Sequence, residues 1–332
     1  MRIGIRILVC VLGLLAASVV FSQKPPQRPK VHSDFSFATF PVSREASQMM
    51  TKEKYRYMLV AFHEGWDFEK VGKELKVSDE EVDKIFSDLD TEHLASQSQD
   101  GDPRPNILVI REKDIQTIKP SLDKHADGLV KVLDNNWSSI ESTVTAMSGA
   151  KGVPKEELMY EVISSGLLLG TMIDVFYEDK TMLPPGPRRG RGQQYFAWLV
   201  EGDSTYAGRI QREEGRSDGY SVVSVGPTIT TVRPSLTEIR SGKGLVLDEA
   251  ESRRFRSLLT IMSRDKLLPF FKENRNDFLK VASQLRTGKY LSFGEFFAWY
   301  YIQIVNEAID EIVESKRMRP PKDLYAYALK TL

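Results

Sequence analysis

Gly65-Trp-Asp-Phe-Glu-Lys-Val-Gly-Lys-Glu-Leu-Lys-Val-Ser-Asp-Glu-Glu-Val-Asp-Lys-Ile-Phe-Ser-Asp-Leu-Asp-Thr-Glu-His-Leu94 reads as two short helices joined by a tight turn. Asp67 can cap the first helix, and Phe68, Val71 and Leu75 give it an apolar stripe at helical spacing. Ser78 and Glu81 form a capping box for the second, whose stripe is Val82, Ile85 and Leu89.

Upstream, a helix is expected from about Arg44 to His63, with Met50, Tyr57, Leu59, Val60 and Phe62 as its apolar positions. Downstream, Asp100-Gly101 is a hairpin-turn signal, and Ile107 to Ile110 reads as the returning strand. The order helix, helix, helix, strand, turn, strand over residues 46–111 resembles the winged helix-turn-helix superfamily. The resemblance implies a fold for that segment only. Winged helices often place their second turn-helix in a DNA groove. Here Ser78 to Leu94 carries Asp79, Glu80, Glu81, Asp83, Asp88, Asp90 and Glu92 against Lys84 alone, a charge pattern that repels phosphate. The residue types of a DNA-reading helix are therefore missing, and a protein-contact module is the better expectation.

Ahead of this segment, Arg2 and Arg6 precede an uncharged apolar run from Ile7 to Phe21, and Ser22 supplies a small residue before a cut. That layout is a secretory signal peptide over residues 1–22, with an uncleaved anchor as the alternative; the run is short for a membrane span. Both readings carry the rest of the chain out of the cytoplasm, to the periplasm or the medium. Cys10, the single cysteine, lies within the run, so a mature chain would have no thiol chemistry. Residues 23–45, with Lys-Pro-Pro-Gln-Arg-Pro-Lys, read as a flexible spacer.

The 332 residues contain 46 basic and 46 acidic side chains, and losing Arg2 and Arg6 leaves a formal charge of −2. This balance gives no global attraction to nucleic acid or to an acidic membrane. The length leaves room for two domains, and the order of helix and strand signals along the chain reads as an α+β, mainly helical protein. A winged-helix-like domain at 46–115 is expected before a helical domain at 116–332 that holds a small antiparallel sheet at about 194–232.

Within the second part, Leu122, Ala126, Leu129, Leu133, Trp137, Ile140, Val144 and Met147 repeat in steps of three and four, a long amphipathic helix from Pro120. A second helix from Pro154 to about Tyr177 is apolar or small on all sides from Val162 to Ile173, and the pair is expected to pack as an antiparallel hairpin. Glu161 and Asp174 bracket a stretch too short to cross a bilayer, so it reads as a core helix. Strand-like runs follow at Gln194–Glu201, Thr205–Gln211, Tyr220–Val225 and Thr228–Val232. Asp248 with Glu251 opens a run of helices. Ser292 with Glu295 caps a long one from Phe293 to about Ser315, rich in aromatics that read as core rather than pocket, and a last short helix is expected over Asp323 to Leu329.

Chemistry is sparse. The four histidines, His32, His63, His93 and His125, lack metal-ligand spacing, so no metal and no cofactor is expected. No nucleophile elbow is present, and the two S-x-x-K matches, at Ser121 and Ser263, lack their partner motifs. Arg188, Arg189 and Arg191 lie in a Pro/Gly-rich loop that could hold an anion weakly or serve as a second partner-contact surface, with Arg209, Arg212 and Arg233 on the following strands adding to the patch. The leading expectation is an exported non-enzymatic protein that contacts a protein partner. A hydrolase with a site assembled from distant residues is the alternative. A DNA-binding transcriptional regulator requires the N-terminal run not to be a signal.

Overall fold

In the computed structural model, which describes residues 34–202, 211–226, 236–239, 244–321 and 325–331, the stretch from Gly65 to Leu94 folds through its own caps. The Asp67 carboxylate accepts from Lys70 N at 2.8 Å and starts helix α3 (Phe68–Leu75). Lys76 ends α3 in the left-handed region, φ 54°, and Ser78 Oγ then accepts from Glu81 N at 3.3 Å to start α4 (Asp79–Thr91). Val71, Val82, Ile85 and Leu89 are buried.

The helix expected from Arg44 to His63 is broken into α1 (Arg44–Met49) and α2 (Glu53–His63). Phe62 of α2 meets Phe68 and Phe86 edge to face at 5.6 and 5.9 Å, and those two rings meet at 4.9 Å. This aromatic triad joins α2, α3 and α4.

The hairpin that follows differs from the expected one. Strand β2 (Ala95–Gln97) pairs with β3 (Pro103–Pro105), the turn closing through Ser98 N to Asp102 O at 2.8 Å around Gly101 at φ +86°. The returning strand is thus Pro103–Pro105, since prolines are tolerated in so short an edge strand. Ile107 to Ile110, expected as the returning strand, does not pair with β2, and all four of its side chains are buried. That pattern fits a strand covered on both faces, and β4 (Leu108–Ile110) instead runs parallel to β5 (Phe196–Glu201).

Part of the expected spacer is ordered structure. β1 (Phe35–Phe40) lies antiparallel on the other edge of β5, with Phe35 opposite Glu201 and Phe40 opposite Phe196. The proline-rich flank ends before it, and the alternation of Phe35, Phe37 and Thr39 with Ser36, Ala38 and Phe40 is that of a strand.

The long helix α5 (Glu112–Thr145) begins eight residues before the expected Pro120, which lies inside it, in the third turn. The domain boundary drawn at 115 therefore falls inside α5, and Asp34–Leu332 form one compact unit. Helix α5 lies chiefly along α10 (Phe293–Glu314) rather than in the expected hairpin with α6 (Lys155–Asp179). The middle of α6, Glu161–Thr171, is π-helical, with Thr171 Oγ1 donating to Gly166 O at 3.1 Å. A Cβ at Gly166 would stand 3.3 Å from Leu259 and Phe255, so the glycine permits close helix packing. Among the described residues α6 alone is long and apolar enough to cross a membrane, and 83% of its most apolar window is buried within the protein.

The C-terminal helices are α7 (Glu249–Ile261), α8 (Leu268–Glu273), α9 (Arg275–Gln284) and α10. A π-helical turn, Met262–Leu267, connects α7 to α8. Asp248 and Ser292 form the capping boxes read for α7 and α10. Phe296, Phe297, Trp299, Tyr300 and Tyr301 are all buried, and Phe176 of α6 meets Phe271, Phe297 and Tyr301 edge to face at 5.3, 5.4 and 5.1 Å. The aromatic run is core.

The sheet expected at 194–232 is two sheets. β5 belongs to the three-stranded, mixed β1-β5-β4 sheet. The other sheet has the order β6-β7-β9-β8, from β6 (Gln211–Ser217), β7 (Tyr220–Gly226), β8 (Gly244–Leu247) and β9 (Tyr325–Lys330), with β8 and β9 parallel. Strand β9 replaces the expected last helix. Its Tyr-Ala-Tyr-Ala-Leu alternation sends Tyr327 onto Phe255 at 5.8 Å. Residues 205–210 and 228–232, expected as strand, lie outside the described residues. The protein is mainly helical with small sheets.

Candidate functional site

The arginine loop is held together by its middle member. Arg189, 3% exposed, donates from Nη1 to Asn106 O at 3.0 Å and to His93 O, from Nη2 to Glu295 Oε1 at 3.2 Å, and from Nε to Tyr195 O at 3.5 Å. Its guanidinium therefore joins the end of α4, the strand after the hairpin and the first turn of α10. Burial pulls Arg189 below the ordinary guanidinium value, and the Glu295 charge opposes that pull. Two glycines make the approach feasible: a Cβ at Gly186 would press on the Tyr195 backbone at 2.9 Å, and one at Gly190 would overlap the Glu92 carboxylate.

Arg188 and Arg191 are exposed on either side of this strut. Arg191 sits at φ 55°, and its charge helps hold the Glu45 carboxyl low, after hydrogen bonds from the Glu45 backbone and Gln193. Of the other arginines proposed for the patch, Arg209 and Arg233 lie outside the described residues. Arg212 is placed on β6 by its backbone alone. The described part of the set thus contains one buried strut and two exposed charges.

A second strut had no signal in the sequence. Arg111 donates through Nε and Nη2 to the two oxygens of Glu201, at 2.6 and 3.0 Å, and through Nη1 to Glu64. This fork pins the start of α5 to the end of β5 and to the end of α2.

The acid helix α4 divides its carboxylates into two sets. Asp88 accepts from the Tyr55 hydroxyl at 2.5 Å and from Lys84 at 3.1 Å, and Glu81 pairs with Lys54 at 2.6 Å. Burial and Asp88 push the Tyr55 phenol up to about 12. Asp79, Asp83 and Asp90, spaced to fall on one face, are exposed and enter no ion pair among the described residues. The apolar stripe faces inward and a strip of uncompensated negative charge faces out.

A cavity of about 530 Å³ lies between the end of α6, helix α7 and the β6-β7-β9 face. Its polar lining includes Arg216 on β6, Arg256 on α7 and Arg264 on the π-helical turn, with Asp174 and Glu178 from α6. Val175, Val223, Leu259 and Leu329 supply apolar wall. Arg264 pairs with Glu178, and Arg256 Nη2 donates to Lys330 O at 2.8 Å while its Nη1 is buried without a hydrogen-bond partner. Sequence reading singled out none of these arginines, although Arg256, Thr260 and Arg264 stand in steps of four.

The described histidines do not converge. Burial drives His63 down to about 3 and His125 to about 4, so both are neutral core groups; His125 Nδ1 lies 2.9 Å from the Tyr300 hydroxyl. Among the described residues no group of three or more His, Cys, Asp or Glu side chains stands close enough to hold a metal ion. In the second S-x-x-K match Ser263 is buried and Lys266 is exposed, which does not make a nucleophile–base pair. Comparison of the chain with family models, curated proteins and solved structures found no match.

Proposed function

We propose that the chain is an exported, non-enzymatic protein whose winged-helix-like module, α1–α4 with the β2–β3 hairpin, holds a protein partner in the cell envelope or outside the cell. The reading is carried by one observation: Asp79, Asp83 and Asp90 form an exposed acidic strip that no other charge in the described protein neutralises. Where a DNA-reading helix would present Lys and Arg to phosphate, α4 presents carboxylates, so its complement is a basic protein surface. The basic start and apolar run at residues 1–22 support export.

Cell fractionation with N-terminal sequencing tests the address, and capture from the same fraction tests the surface. The expected result is a mature start near Gln23 in the periplasm or medium, with a partner retained by the native chain and lost by the Asp79→Lys, Asp83→Lys, Asp90→Lys variant. An intact Met1 in the cytoplasm, with retention on DNA, would overturn the proposal.

A further inference from the structure

We infer that the outer edge of β1 is a self-association surface, which pairs antiparallel with β1 of a second copy of this chain. The inference is independent of the α4 surface and rests on the backbone of one strand.

β1 is the outer member of the β1-β5-β4 sheet and holds β5 through six consecutive residue pairs without a bulge. Gly202 N donates to Asp34 O at 2.8 Å, and this sets the alternation. Ser36, Ala38 and Phe40 turn their backbone groups to β5, while Phe35, Phe37 and Thr39 turn theirs outward. Among the described residues no hydrogen bond reaches those outward N–H and C=O groups; Thr39 accepts from Ser43 N through its hydroxyl, at 2.7 Å.

An edge of this kind templates a further strand unless it is short, charged, bulged or broken by proline. The other edges of the described sheets carry such guards. β2, β3 and β4 are three residues each, and β8 is four. The sequence of β6 is charged at Arg212, Glu213, Glu214 and Arg216. β1, Phe-Ser-Phe-Ala-Thr-Phe, has six residues, no charge and no proline.

The occupant that fits is a second copy. A two-fold axis through Phe37 sets Phe35 opposite Thr39 of the copy, Phe37 opposite Phe37, and Thr39 opposite Phe35, and each pair exchanges two hydrogen bonds. Every outward group of β1 is satisfied in that register. Pro41, at the next outward position, has no N–H and ends the ladder. Asp34 is the nearest charge in sequence, and antiparallel pairing holds the two Asp34 residues six strand positions apart, about 20 Å, whereas parallel pairing would set them side by side. A foreign strand gains less, because side-chain pockets give an added strand its specificity and the two faces of β1 are filled by its own chain. Ala38 and Phe40 pack on the main core, and Phe35 lies under the Arg111 guanidinium at 5.5 Å. The joined sheet has the order β4-β5-β1-β1-β5-β4.

Gel filtration with light scattering on the full chain, over a dilution series, tests this. The expected result is a particle of twice the 37.7 kDa chain mass. Phe37→Pro removes one outward N–H and no hydrogen bond within the chain, so it runs as a monomer with an unchanged far-ultraviolet spectrum; Phe37→Thr keeps that N–H and stays dimeric. In a Cys10→Ser background, Phe37→Cys forms a disulfide-linked dimer on oxidation, because the axis sets residue 37 opposite itself. Ser36→Cys does not, since it faces Ala38 of the copy and lies more than about 7 Å from its own counterpart. The two cysteine variants read the register whether or not the strand tolerates proline. A monomeric native chain, a dimer that survives in Phe37→Pro, a Phe37→Thr chain as monomeric as the proline variant, or a disulfide at position 36 rather than 37 each overturns the assignment.

Discussion

Replacing Arg189 by Met separates a structural arginine from a ligand-binding one. Methionine keeps much of the side-chain volume, so the cost of a cavity is small. What it removes is the ion pair to Glu295, whose side chain is 12% exposed, and the donors to the carbonyls of His93, Asn106 and Tyr195. Breaking one partner of a buried pair costs about 3–5 kcal/mol, because the remaining charge stays buried without compensation. Against a total stability of about 5–15 kcal/mol, this is a large fraction. Urea unfolding followed by far-ultraviolet circular dichroism reads it as a lowered midpoint at constant slope. Glu295→Leu in the Arg189→Met background should recover part of the loss, since no uncompensated charge then remains. A loss below about 1 kcal/mol for Arg189→Met would show that the guanidinium is not the strut described.

The pH dependence follows from the two buried imidazoles. Burial holds His63 at about 3 and His125 at about 4 in the folded chain, below the free value of 6.5, so the unfolded chain takes up their protons first as pH falls. Stability present above pH 6.5 is therefore lost as the pH falls toward 4, by about 3–5 kcal/mol for the two together at pH 4.5, and His125→Gln should roughly halve the slope in urea titrations across that window. Asp277, held at about 2 by Lys280 and Lys124, adds its loss only below about pH 4. A flat profile from pH 7 to 4.5 would contradict the burial of both rings. Gly149→Ala should cost more than about 2 kcal/mol, because its Cβ would overlap the Val246 carbonyl oxygen on β8. Gly152→Ala, at φ +87° with open space around it, should cost about 1 kcal/mol, and equal thermal shifts for the two would count against the packing of β8 on the turn after α5.

Helices were legible where their signals are local. Asp67, Ser78, Asp248 and Ser292 cap within three residues of themselves, and the stripes of α4, α5 and α10 recur at fixed short spacings. Strand partners were not, because pairing is settled far along the chain: Phe35 meets Glu201, and the final strand meets residues 220–225 and 244–247. The same holds for the sites. The sequence marked Arg188, Arg189 and Arg191 as a group, yet two of Arg189's acceptors are main-chain carbonyls at His93 and Asn106, which leave no trace in side-chain patterns. The cavity arginines had half a signal, the helical spacing of Arg256 and Arg264. Arg216 joins them only because β6 folds across that face. The acid face of α4 was fully legible, being charge on a single helix.

That face is where a direct measurement should be placed. A photoreactive phenylalanine analogue at position 83, activated in cells expressing the full chain, reports what lies against α4. An adduct to a protein with a basic surface in an exported fraction is expected, and it should vanish when Asp79 and Asp90 are changed to Lys. An adduct to DNA, or a protein adduct that survives the charge reversal, would contradict a partner held by the acid strip.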